Sequence, residues 1–352
     1  MGRVMGAGGR RVEEVRTALK AVVLVGGEGT RLRPLTETIP KPLLPLMGRP
    51  FLHFVLDHLL ANGIHEAILS SPYLEEAFSQ FIEDRHGDPK ITWVTEPEPL
   101  GTGGAVLNAL DMVDGSFFVL NGDILTDLDL QAMLASHEAN SAAATISTIR
   151  VEDARPFGLV VTGENARVLE FREKPADPMP GDINAGTYLL EPEALEGFPR
   201  AVDRSIEREV FPKMIERRLG VFAFPSQAYW LDLGTPEKYL RAHFDMIEGK
   251  IGPKRFSGPV VDESARVDRR AQLGRWVVIG PRAEVMSEAE VDESVLLEGS
   301  RVGARSKVRR SILGPGARVG EGALVTSTIV AEGAEVPDGA SVVDEKVRAG
   351  NS

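Results

Sequence analysis

Residues 21–36 read Ala-Val-Val-Leu-Val-Gly-Gly-Glu-Gly-Thr-Arg-Leu-Arg-Pro-Leu-Thr. The first five are apolar without alternation, as in a strand buried on both faces, and Gly26-Gly27 end the run. Similar runs recur at 67–69, 91–94, 117–120 and 143–149. Between the first two, residues 51–61 put Leu52, Val55, Leu56 and Leu59 on one helical face, and Asn62-Gly63 stop the helix. Buried strands alternating with amphipathic helices predict an α/β domain: a Rossmann-like, mostly parallel sheet with helices on both faces. It is expected to span residues 21–248. Residues 1–20, with five basic and two acidic residues, read as a flexible tail. Gly249-Lys250-Ile251-Gly252-Pro253 and Gly258-Pro259 mark a linker over 249–260.

Beyond the linker the period changes. Val267, Leu273, Ile279, Val285, Val291 and Leu297 recur every sixth residue; after shifts, the spacing returns at Val302 and Val308, at Val319 and Val325, and at Val330, Val336 and Val342. Six fits neither a helix nor a flat strand, but it fits a triangular coil whose short faces each point one aliphatic residue inward. A parallel β-helix is therefore predicted over 261–345, with a tail at 346–352.

Lys plus Arg number 40 against 52 Asp plus Glu, a net charge of -12, which argues against nucleic acid or an anionic membrane as partner. With no cysteine, disulfides, thiolate metal sites and a cysteine nucleophile are excluded. No apolar run approaches the ~20 residues of a membrane span, and a cytoplasmic location is expected.

A polyanionic ligand would need a local basic site. Residues 26–50 hold Arg31, Arg33, Lys41 and Arg49 against Glu28 and Glu37, inside a region, 21–260, with 22 bases and 35 acids. Gly26, Gly27 and Gly29 would let backbone N–H groups close on a phosphate chain. The stretch is neither a P-loop, which needs Gly-Lys-Ser/Thr at its end, nor a dinucleotide fingerprint, whose third glycine is replaced by Leu32. Arg31 can chelate phosphate as a fork, and Lys41, between two prolines on an expected extended segment, can act as a point charge. Asp123 follows the 117–120 strand at its carboxyl end, where open parallel sheets bind ligands. Asp232 precedes a helix with Thr235 as cap and Pro236 in its first turn. Residue types alone allow turn or capping roles for both aspartates, or two hard ligands for a cation.

The run Gly-Gly-x-Gly-Thr-Arg-Leu-Arg-Pro-Leu-Thr followed by Pro40-Lys41-Pro42-Leu43 resembles the signature of the sugar nucleotidyltransferases (nucleotide-sugar pyrophosphorylases). The resemblance continues through Glu98-Pro99-Leu100-Gly101-Thr102-Gly103-Gly104, Asn121-Gly122-Asp123, Glu173-Lys174-Pro175, Ile183-Asn184-Ala185-Gly186 and Trp230-Leu231-Asp232-Leu233-Gly234. It spans about residues 21–345, since many members append a left-handed β-helix of hexapeptide repeats. Ser205-Ile206-Glu207-Arg208-Glu209-Val210-Phe211-Pro212 is closest to the mannose-1-phosphate guanylyltransferase branch.

The resemblance implies a nucleotide site at Gly26, Gly27, Gly29, Thr30, Arg31, Gly101 and Asp123. It further implies a catalytic Mg²⁺ on Asp123 and Asp232, catalytic roles for Arg31 and Lys41, and a sugar-phosphate site at Gly158, Glu173, Lys174 and Asn184. The implied reaction is attack by a sugar-1-phosphate, mannose-1-phosphate first among candidates, on the α-phosphorus of a nucleoside triphosphate, GTP first, releasing pyrophosphate. Another base, another sugar or cyclitol phosphate, and a non-catalytic nucleotide-sugar-binding regulatory subunit are the alternatives. An acyltransferase β-helix, found in some relatives, would need a histidine base, and all six histidines precede the linker. A homo-oligomer, dimer or tetramer, is expected from the exposed edges of the last coil.

Overall fold

The computed structural model describes residues 18–72, 75–85, 87–96, 98–173, 177–252 and 255–350, with only the backbone of Glu75 and Glu173. Most of the expected N-terminal tail, and Lys174, lie outside the described residues.

The described residues open with β1 (Lys20–Leu24), a small hairpin of β2 (Pro45–Leu46) and β3 (Arg49–Pro50), then α1 (Leu52–Ala61), β4 (Glu66–Ser71), α2 (Glu75–Asp84) and β5 (Lys90–Thr95). There follow α3 (Gly101–Asn108), β6 (Phe117–Asn121), β7 (Ile124–Thr126), α4 (Leu130–Ala139), β8 (Ala144–Val151), β9 (Gly158–Thr162), β10 (Val168–Glu173) and β11 (Gly181–Leu190). Then come α5 (Phe211–Glu216), β12 (Val221–Ser226), β13 (Trp230–Asp232) and α6 (Pro236–Glu248). Strand β1, just ahead of Gly26, and helix α1 fall where their apolar patterns put them. Helix α3 starts at Gly101, within the Gly101-Thr102-Gly103-Gly104 motif. Gly103 and Gly104 lie inside it because the neighbouring backbone is too close for side chains; a Cβ on Gly104 would sit 2.5 Å from Val202 O.

The main sheet runs β10-β9-β11-β6-β1-β4-β5, with β8 and β12 branching from β11. Strands β6, β1, β4 and β5 are mutually parallel, as the unalternated runs require, whereas β11 turns antiparallel to β6, β8 and β9, so the sheet is mixed. Alternate residues of β1 divide between two cores. Ala21 and Val23 join α1, α4 and α6 on one face, and Val22 joins α3 and α5 on the other. Helices thus cover both faces, and the functional loops lie at the strand ends.

From β14 (Val260–Val261) to β29 (Lys346–Val347), sixteen short strands stack in parallel into three sheets, a left-handed β-helix. Partner residues lie 18 apart in the first coil (Val260 opposite Val278) and 17 apart afterwards (Val278, Val295, Ile312, Ile329). One corner therefore loses a residue per coil, which is why the sixfold spacing breaks. The break also corrects one assignment. Leu297 does not fill the β-helix; Leu296 does, and Leu297 belongs to the core shared with the α/β domain.

That shared core includes Val278, Val295, Ile312 and Ile329 against Leu240 and Met246 of α6, with Phe244 and Trp276 alongside. At about 1.5–3 kcal/mol per buried aliphatic side chain, as an upper estimate, four such residues hold the two domains firmly together. Trp276 Nε1 adds a hydrogen bond to Glu248 Oε1 (3.2 Å). The basic residues Arg301, Arg305, Lys307, Arg309 and Arg310 each face an acid on a neighbouring coil (Glu284, Glu321, Glu290, Asp292 and Glu293). They form a neutralised, solvated face.

Candidate active site

A cleft of about 390 Å³ opens at the carboxyl ends of β1, β4 and β6, lined by Leu24, Ser70 and Asn121 from the strand ends and by the glycine loop above them. Strand order reverses here: β4 lies on one side of β1 and β6 on the other, which leaves a crevice between their outgoing loops. The loop's shape follows from its glycines. Gly26 passes so close to Pro72 that a Cβ would lie 2.7 Å from its Cδ, and Gly29 takes a left-handed turn (φ +62°) against Thr36 and Lys41. Thr36 Oγ1 ties the turn by donating to Gly29 O (2.8 Å). Thr30 and Arg31 then stand exposed at the cleft on a single 3₁₀ turn, Thr30–Leu32, anchored by buried Leu32.

Lys41, Asp123 and Asp232 come together from three segments. Lys41 is 9% exposed, and its Nζ is ion-paired with Asp123 Oδ2. It sits in a 3₁₀ turn (Lys41–Leu43), not on an extended segment: Pro40 is extended, but Leu43 N–H bonds back to Pro40 O (2.8 Å) and closes the turn. The antiparallel pair β7–β13 sets Asp232 opposite Ile124, the residue after Asp123, and Leu233 N–H bonds Asp123 O (2.9 Å). Asp232 Oδ1 is ion-paired with Lys238 in the first turn of α6, whose cap is Thr235 Oγ1 on Lys238 N. At Gly234 a Cβ would lie 2.7 Å from Asp232 Oδ2 and 2.8 Å from Arg31 Nη2, so the missing side chain lets Arg31 reach the carboxylate's neighbourhood. By contrast Asp127 and Asp129 serve turns: Asp127 Oδ1 accepts from Tyr229 N, and Asp129 caps α4.

A second cavity, about 380 Å³, shares Gly101 and Thr102 with the first and is floored by Phe157, Gly158, Asn184 and Glu207. Gly158 pairs with Glu173 across β9–β10, which brings those two expected positions together. Lys238 lies beside this second cavity, its Nζ 5.3 Å from the centre of the Phe157 ring that lines it.

Four residues here escaped the sequence reading as site residues. Glu207 accepts from Thr102 Oγ1 (2.8 Å) and Ser205 Oγ (2.7 Å) on one oxygen and from Tyr188 Oη (3.1 Å) on the other. Since the tyrosine proton goes to the carboxylate, Tyr188 Oη accepts from Asn184 Nδ2 (2.7 Å), leaving Asn184 Oδ1 to take Gly186 N–H (2.9 Å). The chain of bonds fixes the Asn184 amide. Glu96 is buried at the cleft between Ser70 Oγ (2.9 Å) and Leu100 N (3.0 Å). Asn121 Oδ1 lines the same cleft, buried without a partner among the described residues, an acceptor left for a ligand's donor at a cost of about 1–3 kcal/mol. Lys238 is the fourth. Glu207 and Asn121 each stand within a quoted motif, which was the available signal; Glu96 and Lys238, outside the motifs, had none.

A "Nucleotidyl transferase" family model matches residues 20–249. The chain belongs to the nucleotidyl transferase family. Residues 256–350 match the family model "GMPPB C-terminal domain". The chain is 38% identical over 291 residues to mannose-1-phosphate guanylyltransferase of Mycobacterium tuberculosis (strain ATCC 25618 / H37Rv), covering 81% of each chain. It is 37% identical to mannose-1-phosphate guanylyltransferase 1 of Arabidopsis thaliana, covering 82% of this chain and 83% of that one. Among solved structures, HddC from Yersinia pseudotuberculosis complexed with GMP-PN superposes with a TM-score of 0.57 at 32% identity, over 65% of this chain and 99% of that one. No helix among the described residues is long and apolar enough to cross a membrane.

Proposed function

We propose that this nucleotidyltransferase joins GTP to mannose-1-phosphate, releasing pyrophosphate and forming GDP-mannose. The names of its relatives support the substrate pair. The single observation that carries the site is the half-buried Lys41–Asp123 pair at the cleft, beside the glycine loop and Arg31. It supplies charge where two phosphorylated substrates must meet.

The donor set fits Mg²⁺. Asp123 and Asp232 are hard oxygen ligands, each held by one lysine, and no cluster of three or more His, Asp or Glu side chains arranged for a metal occurs among the described residues. A cation on this pair would take its other ligands from phosphate and water, as Mg²⁺ does. When bound, Mg²⁺ supplies charge neutralisation for the phosphates.

The protein's own part is alignment and charge. A sugar phosphate is already an anion, so attack needs no general base; the barrier lies in bringing two polyanions into line. The glycine loop offers N–H groups, Arg31 offers a planar fork for phosphate oxygens, Lys41 orients Asp123 and Lys238 orients Asp232. Gly101 and Asn121 stand where base and ribose would lie. Asn184, held by Glu207 through Tyr188, and Gly158 with Glu173 stand where the sugar would lie, with Lys174 assigned its phosphate. We place the reaction in the cytoplasm and expect a dimer or tetramer.

The test is a matrix of nucleoside triphosphates against sugar-1-phosphates with Mg²⁺, read by pyrophosphate release. GTP with mannose-1-phosphate should give the highest kcat/KM. A clearly better pair would overturn the substrate assignment, and silence across the matrix would favour a regulatory subunit.

A further inference from the structure

One column of residues on the β-helix faces the catalytic domain. In register it reads Val260, Val278, Val295, Ile312, Ile329, Lys346. The aliphatic members pack in the shared core with α6, Val260 at its edge. The sixth rung breaks the pattern with a lysine, the first residue of the stretch expected to be a tail. There the column has run past the apolar face of α6 and reached the signature loop.

Lys346 Nζ donates to the backbone carbonyl of Arg31 (3.2 Å). Two residues on, Arg348 donates from Nη2 (3.2 Å) and Nε (3.3 Å) to Glu37 Oε1. Arg31 belongs to the 3₁₀ turn Thr30–Leu32 and Glu37 to the next, Leu35–Glu37. Each turn of the loop is gripped once. A carbonyl at the end of a helical turn favours a cation, so a lysine suits this rung as an aliphatic suits the others.

We propose that Lys346 and Arg348 are positioning residues for the nucleotide site: the last β-helix coil braces residues 30–37 so that the Arg31 side chain is presented to the cleft. The contacts are half-exposed, and such pairs add little to global stability. Their effect is local. They are carried by a strand whose preceding rungs are buried in the shared core, so the brace is fixed to the body of the protein. A loop already held loses less freedom when phosphate binds. The proposal rests on the nucleotide-site reading given above.

The test uses the full chain with Lys346→Ala and Arg348→Ala together. Hydrogen–deuterium exchange should show faster exchange across residues 27–38, with the melting temperature unchanged. KM for GTP should rise about three- to tenfold while KM for mannose-1-phosphate holds, the scale of one or two exposed polar contacts. The charge exchange Arg348→Glu with Glu37→Arg should recover most of both effects relative to Arg348→Glu alone. A control pair, Lys307→Ala with Arg309→Ala on another face of the β-helix, should change none of these. Unchanged loop exchange, or a lower melting temperature with KM unmoved, would overturn the brace. If the unaltered protein transfers nothing, the proposed function fails, and the exchange measurement still decides the brace alone.

Discussion

Breaking the Lys41–Asp123 pair should separate what the site does for stability from what it does for chemistry. Asp123→Asn keeps the shape of the side chain but removes the charge facing a lysine that is only 9% exposed. Orphaning one member of a fully buried ion pair costs about 3–5 kcal/mol. Asp123 is itself 35% exposed, so water reaches its side of the pair, and a loss of about 1–3 kcal/mol is the appropriate scale. At about 2–4 °C per kcal/mol, the melting temperature should fall by roughly 2–12 °C. Lys41→Met should cost a similar amount, because it leaves Asp123 partly desolvated without its cation. The double variant, with neither charge, should be more stable than Asp123→Asn alone. Turnover should behave differently: all three variants should lose pyrophosphate release by at least about a hundredfold, the scale of removing a preorganised charge from a phosphoryl-transfer site. The assays are urea unfolding and pyrophosphate release on the same samples. A double variant no more stable than Asp123→Asn would refute the coupling, and near-normal turnover in Asp123→Asn would remove Asp123 from the site.

Glu207→Gln can donate where the carboxylate only accepts, so it should release the Asn184 amide from its fixed orientation; KM for mannose-1-phosphate should rise about tenfold and that for GTP less, and equal shifts would refute the relay. Burial pushes the His243 imidazole down to about 3, far below its unfolded value near 6.5. Its contribution is therefore fully present above about pH 6.5 and lost as pH falls toward 3, which should cost roughly 2 kcal/mol of urea stability between pH 7 and 5, a slope that His243→Asn should remove. Leu296→Ala should cost about 2–5 kcal/mol by opening a cavity inside the β-helix, whereas Leu297→Ala should loosen the domain contact and speed proteolysis within residues 249–260.

What the sequence revealed was what contiguous pattern encodes. The unalternated run before Gly26 announced a buried parallel strand, and the hexads announced a coil. Leu297 was misplaced because a coil that drops one residue at a corner looks, over a single repeat, like one that does not; only the pairing of Val278 with Val295 shows the 17-residue step. Lys41 was expected on an extended segment because proline fixes φ but leaves ψ open, and the hydrogen bond to Pro40 O decided it. The motif glycines and Asp123 line the cleft because a phosphate loop uses near neighbours. Glu207 and Lys346 act across 105 and 315 residues of chain, and no local period records a contact of that kind.

The central claim is transfer of a guanylyl group to mannose-1-phosphate, and phosphorus NMR of the protein with GTP, mannose-1-phosphate and Mg²⁺ tests it most directly. The account predicts that GDP-mannose and inorganic pyrophosphate appear together in equal amounts, and that neither forms without the sugar phosphate. Pyrophosphate released without mannose-1-phosphate, or no diphosphate-bridged product at all, would contradict it.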